Sequence, residues 1–144
     1  MAAMSEIEIN EINKSVISEF RANGGKVVTG RFAGTDLILV TNKGARSGRT
    51  RTTPLMYLRD GERYIIFASR NGGPKHPDWY FNLVANPDVE IEVGTEKFPA
   101  RAVVTSGAER ARVWAQCVAQ RPFLTDLAAR AHPREIPVIA IERK

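Results

Sequence analysis

Six short runs of apolar or alternating residues, each bounded by turn signals, constrain this chain more than any other feature. Residues 36–42 are rich in branched side chains and read as a buried strand. Residues 52–58, 63–68, 89–93, 97–105 and 137–142 are the other five runs. Arg59-Asp60-Gly61-Glu62 and Gly94-Thr95-Glu96 leave room only for hairpin turns, the first with the favoured Asp-Gly pair. Runs this short, joined this tightly, pair with their neighbours in sequence. The expected architecture is α+β: a six-stranded, mostly antiparallel split β-barrel with flanking helices.

The helices are legible from their period and their ends. Ile9, Ile12, Val16, Ile17 and Phe20 recur at helical spacing until Gly24-Gly25 stops them. This amphipathic helix is expected to dock on the sheet. Contact with a membrane surface is the minority reading, since Glu8, Glu11 and Glu19 share the polar face with Lys14 and Arg21. A short helix is expected from Pro77 to about Ala85, where Asn86-Pro87 ends it. Ser106-Gly107-Ala108-Glu109 reads as a capping box opening a helix to about Gln120, and residues 123–131 continue as another. No repeat or linker divides the chain. Residues 1–30 are expected to form the first helix and its connection, and residues 31–144 the barrel domain.

Composition excludes several classes. The length, 144 residues, suits one domain able to bury a core without staples. A single cysteine, Cys117, excludes an internal disulfide framework and reads as packing among Val113, Trp114 and Val118. With an acidic start in place of a basic leader and no long apolar window, the expectation is a cytoplasmic protein, the first helix being the candidate contact with the inner membrane face. Two histidines, His76 and His132, and no paired Cys/His spacing argue against a zinc site, so no metal is expected. No Gly-x-Ser-x-Gly elbow, dinucleotide fingerprint or P-loop occurs.

Charge is where the chain departs from the ordinary. Net charge is +5, and Lys43, Arg46, Arg49, Arg51, Arg59, Arg63, Arg70 and Lys75 face only Asp60 and Glu62 in their stretch. Lys43-Gly44-Ala45-Arg46-Ser47-Gly48-Arg49-Thr50-Arg51 is a glycine-bearing turn studded with arginine. Guanidinium forks and closely approaching backbone N–H groups suit an anion with several oxygens. If runs 52–58 and 63–68 are antiparallel neighbours, this turn and the loop Ser69-Arg70-Asn71-Gly72-Gly73-Pro74-Lys75-His76 meet at one end of the sheet. The competing explanation is pairing of these cations with acids elsewhere, such as Asp78 or Asp88. A nucleic-acid-binding barrel would need exposed aromatics for stacking, whereas Tyr57, Tyr64, Phe67 and Phe98 fall in core patterns, so no nucleic-acid partner is expected.

The same residues carry a family resemblance. Gly44-x-Arg46-Ser47-Gly48-x-x-Arg51-x-x-Pro54-Leu55-x-Tyr57, then Arg59-Asp60-Gly61, Ala68-Ser69-Arg70-x-Gly72-Gly73, Lys75-x-Pro77-x-Trp79-Tyr80-x-Asn82-Leu83 and Ala85-Asn86-Pro87, form an ordered set. That set resembles the deazaflavin-dependent nitroreductase family of actinobacteria. The resemblance implies a split β-barrel using the 8-hydroxy-5-deazaflavin coenzyme F-420, whose tail carries a phosphate and several glutamates; FMN is the alternative cofactor. It implies that Arg46, Ser47 and Arg51 hold the phosphate end, with Gly48 keeping the turn open, and that Arg70 and Lys75 meet the phosphate or acidic tail. Pro54, Leu55, Met56 and Tyr57 would present the strand to the ring, with Leu55 and Met56 against its face. Ala68 and Ser69 would lie near the ring, Ser69 as the catalytic candidate, and Asn82 would support the site. Leu124 and Leu127 stand in the substrate-facing segment, where the best-known member is tyrosine-rich. The implied reaction is hydride transfer to a hydrophobic quinone, enone or nitroaromatic acceptor, with a separate dehydrogenase supplying reduced coenzyme.

Overall fold

The computed structural model describes residues 6–144, without the side chains of Glu6, Ile7 and Arg31; residues 1–5 of the expected N-terminal segment lie outside the described residues. Its strands are β1 (Leu37–Lys43), β2 (Thr50–Met56), β3 (Leu58–Asp60), β4 (Arg63–Phe67), β5 (Asp88–Val93), β6 (Glu96–Val104) and β7 (Val138–Arg143). The helices are α1 (Glu6–Ala22), α2 (Asp78–Ala85), α3 (Gly107–Gln120) and α4 (Phe123–Ala131). The seven strands form one sheet in the order β2-β1-β5-β6-β7-β4-β3, and each neighbouring pair is antiparallel.

Seven strands replace the expected six because the run 52–58 divides at Tyr57. Its first part, β2, pairs with β1 from Met56 opposite Leu37 to Thr50 opposite Lys43. Its second part, β3, pairs with β4 from Leu58 opposite Ile65 to Asp60 opposite Arg63. The two edges of the sheet are therefore adjacent pieces of one chain, and the sheet must curl until they meet at Tyr57. That is the expected split barrel, reached by different pairing. Run 52–58 does not lie along 63–68 as a whole. The short turn 44–49 delivers β1 and β2 to each other first, and β4 has its other edge taken by β7.

Strand alternation sorts the core. Ile38 and Val40 of β1 point into the barrel with Tyr64, Ile66, Ile91 and Phe98. Leu37 and Leu39 point out, under Val16 and Phe20 of α1. Thus α1 docks on the sheet, as its apolar stripe predicts. On the other outer face, Val113 and Cys117 of α3 and Leu124 of α4 cover Ile65, Phe67, Val138 and Ala140. Strand β7 is buried on both faces, which is why its sequence reads as an unbroken apolar run. Burial also pushes the Cys117 thiol up to about 11, so it stays protonated and packs like a small apolar group.

Two local expectations shift. The first hairpin turns on Gly61-Glu62, because Asp60 is already paired with Arg63; Gly61 takes φ +60° at the first turn position, which glycine tolerates. Helix α3 begins at Gly107 as expected, but the Ser106 side chain caps nothing, and Glu109 lies 3.3 Å from Arg63 instead of closing a capping box.

Topology fixes the placement of the loops. β1 and β4 stand four places apart in an antiparallel order and so run in the same direction. The segments that follow them, 44–49 and 68–77, therefore leave from one rim.

Candidate functional site

The basic turn is a closed unit. The Gly44 N–H donates to Arg49 O at 2.8 Å, the Gly48 N–H to Gly44 O at 3.1 Å, and Ser47 Oγ accepts from the Arg49 N–H at 3.2 Å. A side chain at Gly44 would put its Cβ 2.8 Å from Ser47 Oγ, so any larger residue there displaces the Ser47 hydroxyl from its place in the turn. Helix α2 ties this turn to the other loop. Asn82 Oδ1 accepts from the Ala45 N–H at 2.9 Å, and Asn86 Nδ2 donates to Lys43 O at 3.2 Å. Because α2 directly follows 68–77, both cationic segments rest on one short helix.

Their charges are left uncompensated. Among the described residues, no hydrogen bond or ion pair engages the side chains of Arg46, Arg49, Arg51, Arg70 or Lys75. Asp88, one of the acids that would have neutralised them, instead binds Lys144 at 2.7 Å. A rim of unpaired cations is costly unless an anion joins it. The donor set fits a phosphate with an acidic tail.

The remaining predicted residues divide. Ala68 is fully buried at the end of β4, and Ser69 is half-buried, its hydroxyl without a partner among the described residues. Tyr57 turns inward and meets Tyr64 edge-on at 5.2 Å; burial and Asp36 raise its pKa, so it keeps its proton. Leu55 packs on the inner cluster and Met56 on the outer one, so the two cannot lie against one face of a ring as expected. Pro54 alternates with Leu55 and is buried. Leu124 is corrected outright: at 1% exposure it is core, because the apolar face of α4 turns onto β4 and β7. Leu127 is half-buried against the same cluster.

Two cavities flank these elements. One of about 580 Å³ opens where β1 and β5 part, lined by Asn42, Lys43, Thr50, Asn86, Asp88 and Glu90 among others. Asn42 there is 6% exposed, and its Nδ2 has no partner. The other, about 150 Å³, lies beside Asp36, Met56, Tyr57 and Arg121.

One residue escaped the sequence reading. Arg134, in the connection between α4 and β7, inserts its guanidinium under the 68–77 loop. It donates to Ala68 O (3.0 Å), Ser69 O (2.8 Å), Gly73 O (2.9 and 3.1 Å) and His76 Nδ1 (2.9 Å). Nothing in its neighbourhood of sequence, Pro133-Arg134-Glu135, distinguishes it from a surface arginine.

A curled antiparallel sheet with an uncompensated cationic rim defines a protein of the split-barrel class. Several solved structures share that fold at low identity, including the haem storage protein HutZ of Vibrio cholerae (TM-score 0.56, 17% identical over 89% of this chain and 87% of that one). The match to a family model, over residues 13–143, is specific: the chain belongs to the F-420H(2)-dependent quinone reductase family. It is 41% identical over 111 residues to an F-420H(2)-dependent quinone reductase of Mycobacterium tuberculosis (strain H37Rv), covering 74% of this chain and 73% of that protein. A solved F-420-H2 dependent reductase (FDR-A) superposes with TM-score 0.67 at 37% identity, over 74% of this chain and 94% of that chain. A structure described as a domain-swapped dimer superposes with TM-score 0.69 at 33% identity, over 96% of this chain and all of that one (100%). The protein is thus an oxidoreductase whose cofactor is coenzyme F-420, which decides between the two cofactors the residues had left open. No helix among the described residues is long and apolar enough to cross a membrane.

Proposed function

We propose that the protein reduces a hydrophobic quinone with reduced coenzyme F-420, holding the coenzyme's phosphate and acidic tail on the cationic rim. The observation that carries this reading is the cluster of five rim cations without protein partners, where Arg21, Arg63, Arg112 and Arg143 elsewhere are ion-paired. In this reading Arg46, Ser47 and Arg51 hold the phosphate, with Gly48 at φ +68° shaping the turn, while Arg70 and Lys75 meet the tail. Asn82 serves through the turn, by fixing the Ala45 N–H. The strand from Pro54 to Tyr57 lines the ring with its main chain and with one of its two faces, since Leu55 and Met56 point to opposite sides.

When bound, the coenzyme supplies the hydride. The chain's own part is orientation and proton management. A quinone that gains a hydride needs one further proton to become the hydroquinone. In this reading the half-buried, unpartnered Ser69 hydroxyl relays that proton from solvent, since a serine does not hold one to give of its own accord. Enones and nitroaromatics ask for the same hydride and proton, and a separate dehydrogenase would restore the reduced coenzyme.

Titrating the purified protein with coenzyme F-420, followed by tryptophan fluorescence, tests the binding reading. Saturable binding in the micromolar range or tighter is expected. Turnover of a menaquinone analogue by the reduced coenzyme tests the acceptor, and binding without such turnover would overturn the quinone assignment.

A further inference from the structure

The loop after β4 contains a backbone conformation that needs an external cause. Arg70 and Asn71 both adopt positive φ, at 45° and 55°, although neither is glycine. A positive φ is strained for a residue other than glycine, more so for arginine than for asparagine, and persists only where its surroundings over-determine it. The loop's own hydrogen bonds are few: the Gly72 and Gly73 N–H groups reach Ser69 O and Arg70 O, both at 2.9 Å. What surrounds it is Arg134, whose five guanidinium N–H donors are all used on this one segment.

The geometry has a directional consequence. In a trans peptide the N–H points opposite to the C=O. With Ala68 O and Ser69 O drawn onto the guanidinium, the N–H groups of Ser69 and Arg70 are turned away from it. Neither N–H has a partner among the described turn and loop hydrogen bonds. The contact with His76 Nδ1 requires that ring to be neutral, with its proton on Nε2. Burial and Arg134 itself lower the His76 pKa, which favours that form. Behind the loop, Gly72 at φ +76° lets α4 approach so closely that a Cβ there would stand 2.6 Å from Arg130 Cβ. The segment is thus held from behind by Arg134 and α4, with Ser69 and Arg70 on the held stretch.

We propose that Arg134 is the positioning residue of the coenzyme site, holding residues 68–76 in the strained conformation that presents Ser69 and Arg70 to the coenzyme. The proposal rests on the function proposed above for where the coenzyme binds, and not for which residue shapes the loop. Arg134 touches neither coenzyme nor acceptor; it acts through carbonyls.

The test compares Arg134→Ala and Arg134→Lys with the unaltered protein. Lysine keeps the charge and most of the stem but has three donors on one nitrogen and cannot reach four acceptors in a plane. Coenzyme affinity is expected to fall at least tenfold in both variants. Guanidinium ion at millimolar concentration is expected to recover part of the loss in the alanine variant and none in the lysine variant. A purely structural role would not give that pattern of rescue. Amide hydrogen exchange provides a readout independent of the coenzyme: Gly72 and Gly73 are expected to lose protection in both variants, while β4 and β7 keep theirs. If exchange at Gly72 and Gly73 is unchanged in Arg134→Lys, or that variant binds coenzyme as tightly as the unaltered protein, the proposal is overturned. Failure of the unaltered protein to bind coenzyme would instead remove the functional reading, leaving the exchange result to decide the role of Arg134. Should Arg134→Ala not fold, Arg134→Lys carries both measurements.

Discussion

The two rims of this barrel use arginine in opposite ways. At one rim, Asp60 accepts from Arg63 at 2.6 Å and from Arg112 at 3.2 Å, while Arg63 also faces Glu109 at 3.3 Å and Glu142 at 3.6 Å. There every guanidinium is spent on the protein itself, and the Asp60 carboxyl is held down to about 2 by Arg112 and Arg63. At the other rim, Arg46, Arg49, Arg51, Arg70 and Lys75 are bonded to nothing in the described chain. Charge counting merges the two. Of the eight cations between Lys43 and Lys75, Arg63 belongs to the closed network and Arg59 lies over the Tyr64 ring at 4.3 Å. The difference teaches that a basic stretch marks a binding site only where it lacks partners, and partners are a property of the fold.

Separating stability from affinity is the way to break this contrast. The largest expected effect is at the closed rim. Asp60→Ala should destabilise the protein by about 1.5–3 kcal/mol, the range for hydrogen bonds to charged groups, with coenzyme affinity unchanged. Chemical denaturation beside coenzyme titration checks both halves. At the open rim the pattern should invert: Arg51→Ala should weaken coenzyme binding by about 1–3 kcal/mol while leaving the denaturation midpoint in place. A stability loss in Arg51→Ala equal to that of Asp60→Ala would erase the distinction. The smallest effect is with pH. The folded pKa of Asp60 lies below its ordinary 3.8, at about 2, so the unfolded chain binds the extra proton between these values. The stabilisation is therefore present above pH 3.8 and lost as pH falls toward about 2. Acid unfolding of Asp60→Asn should lack that step.

Much of the architecture was legible because strand period and hairpin length are local. The boundaries of α3 and α4, the docking of α1 and the presence of the last strand all followed from spacing. Pairing was not legible in the same way. A strand has two edges, and nothing in residues 52–58 says that one half serves β1 and the other β4. At the site, the motif order named the two loops, and topology brought them to one rim by a route the sequence reading had wrong. Leu124 was misread because position within a substrate-facing segment says nothing about which side of a helix faces the sheet. Arg134 was missed for a deeper reason: apart from His76 Nδ1, its acceptors are main-chain carbonyls, which have no residue identity to read.

The strand that closes the barrel sets a rule of parity. Leu55 faces in, Met56 out, Tyr57 in and Leu58 out, and the two halves are gripped by different neighbours. One residue added or removed at Tyr57 would keep both grips only by turning one half inside out, exchanging barrel lining for outer core. Evolution can therefore change which residue stands at position 57 more readily than it can change how many stand between β2 and β3, so that this one-residue joint is a measured length before it is a chemical group.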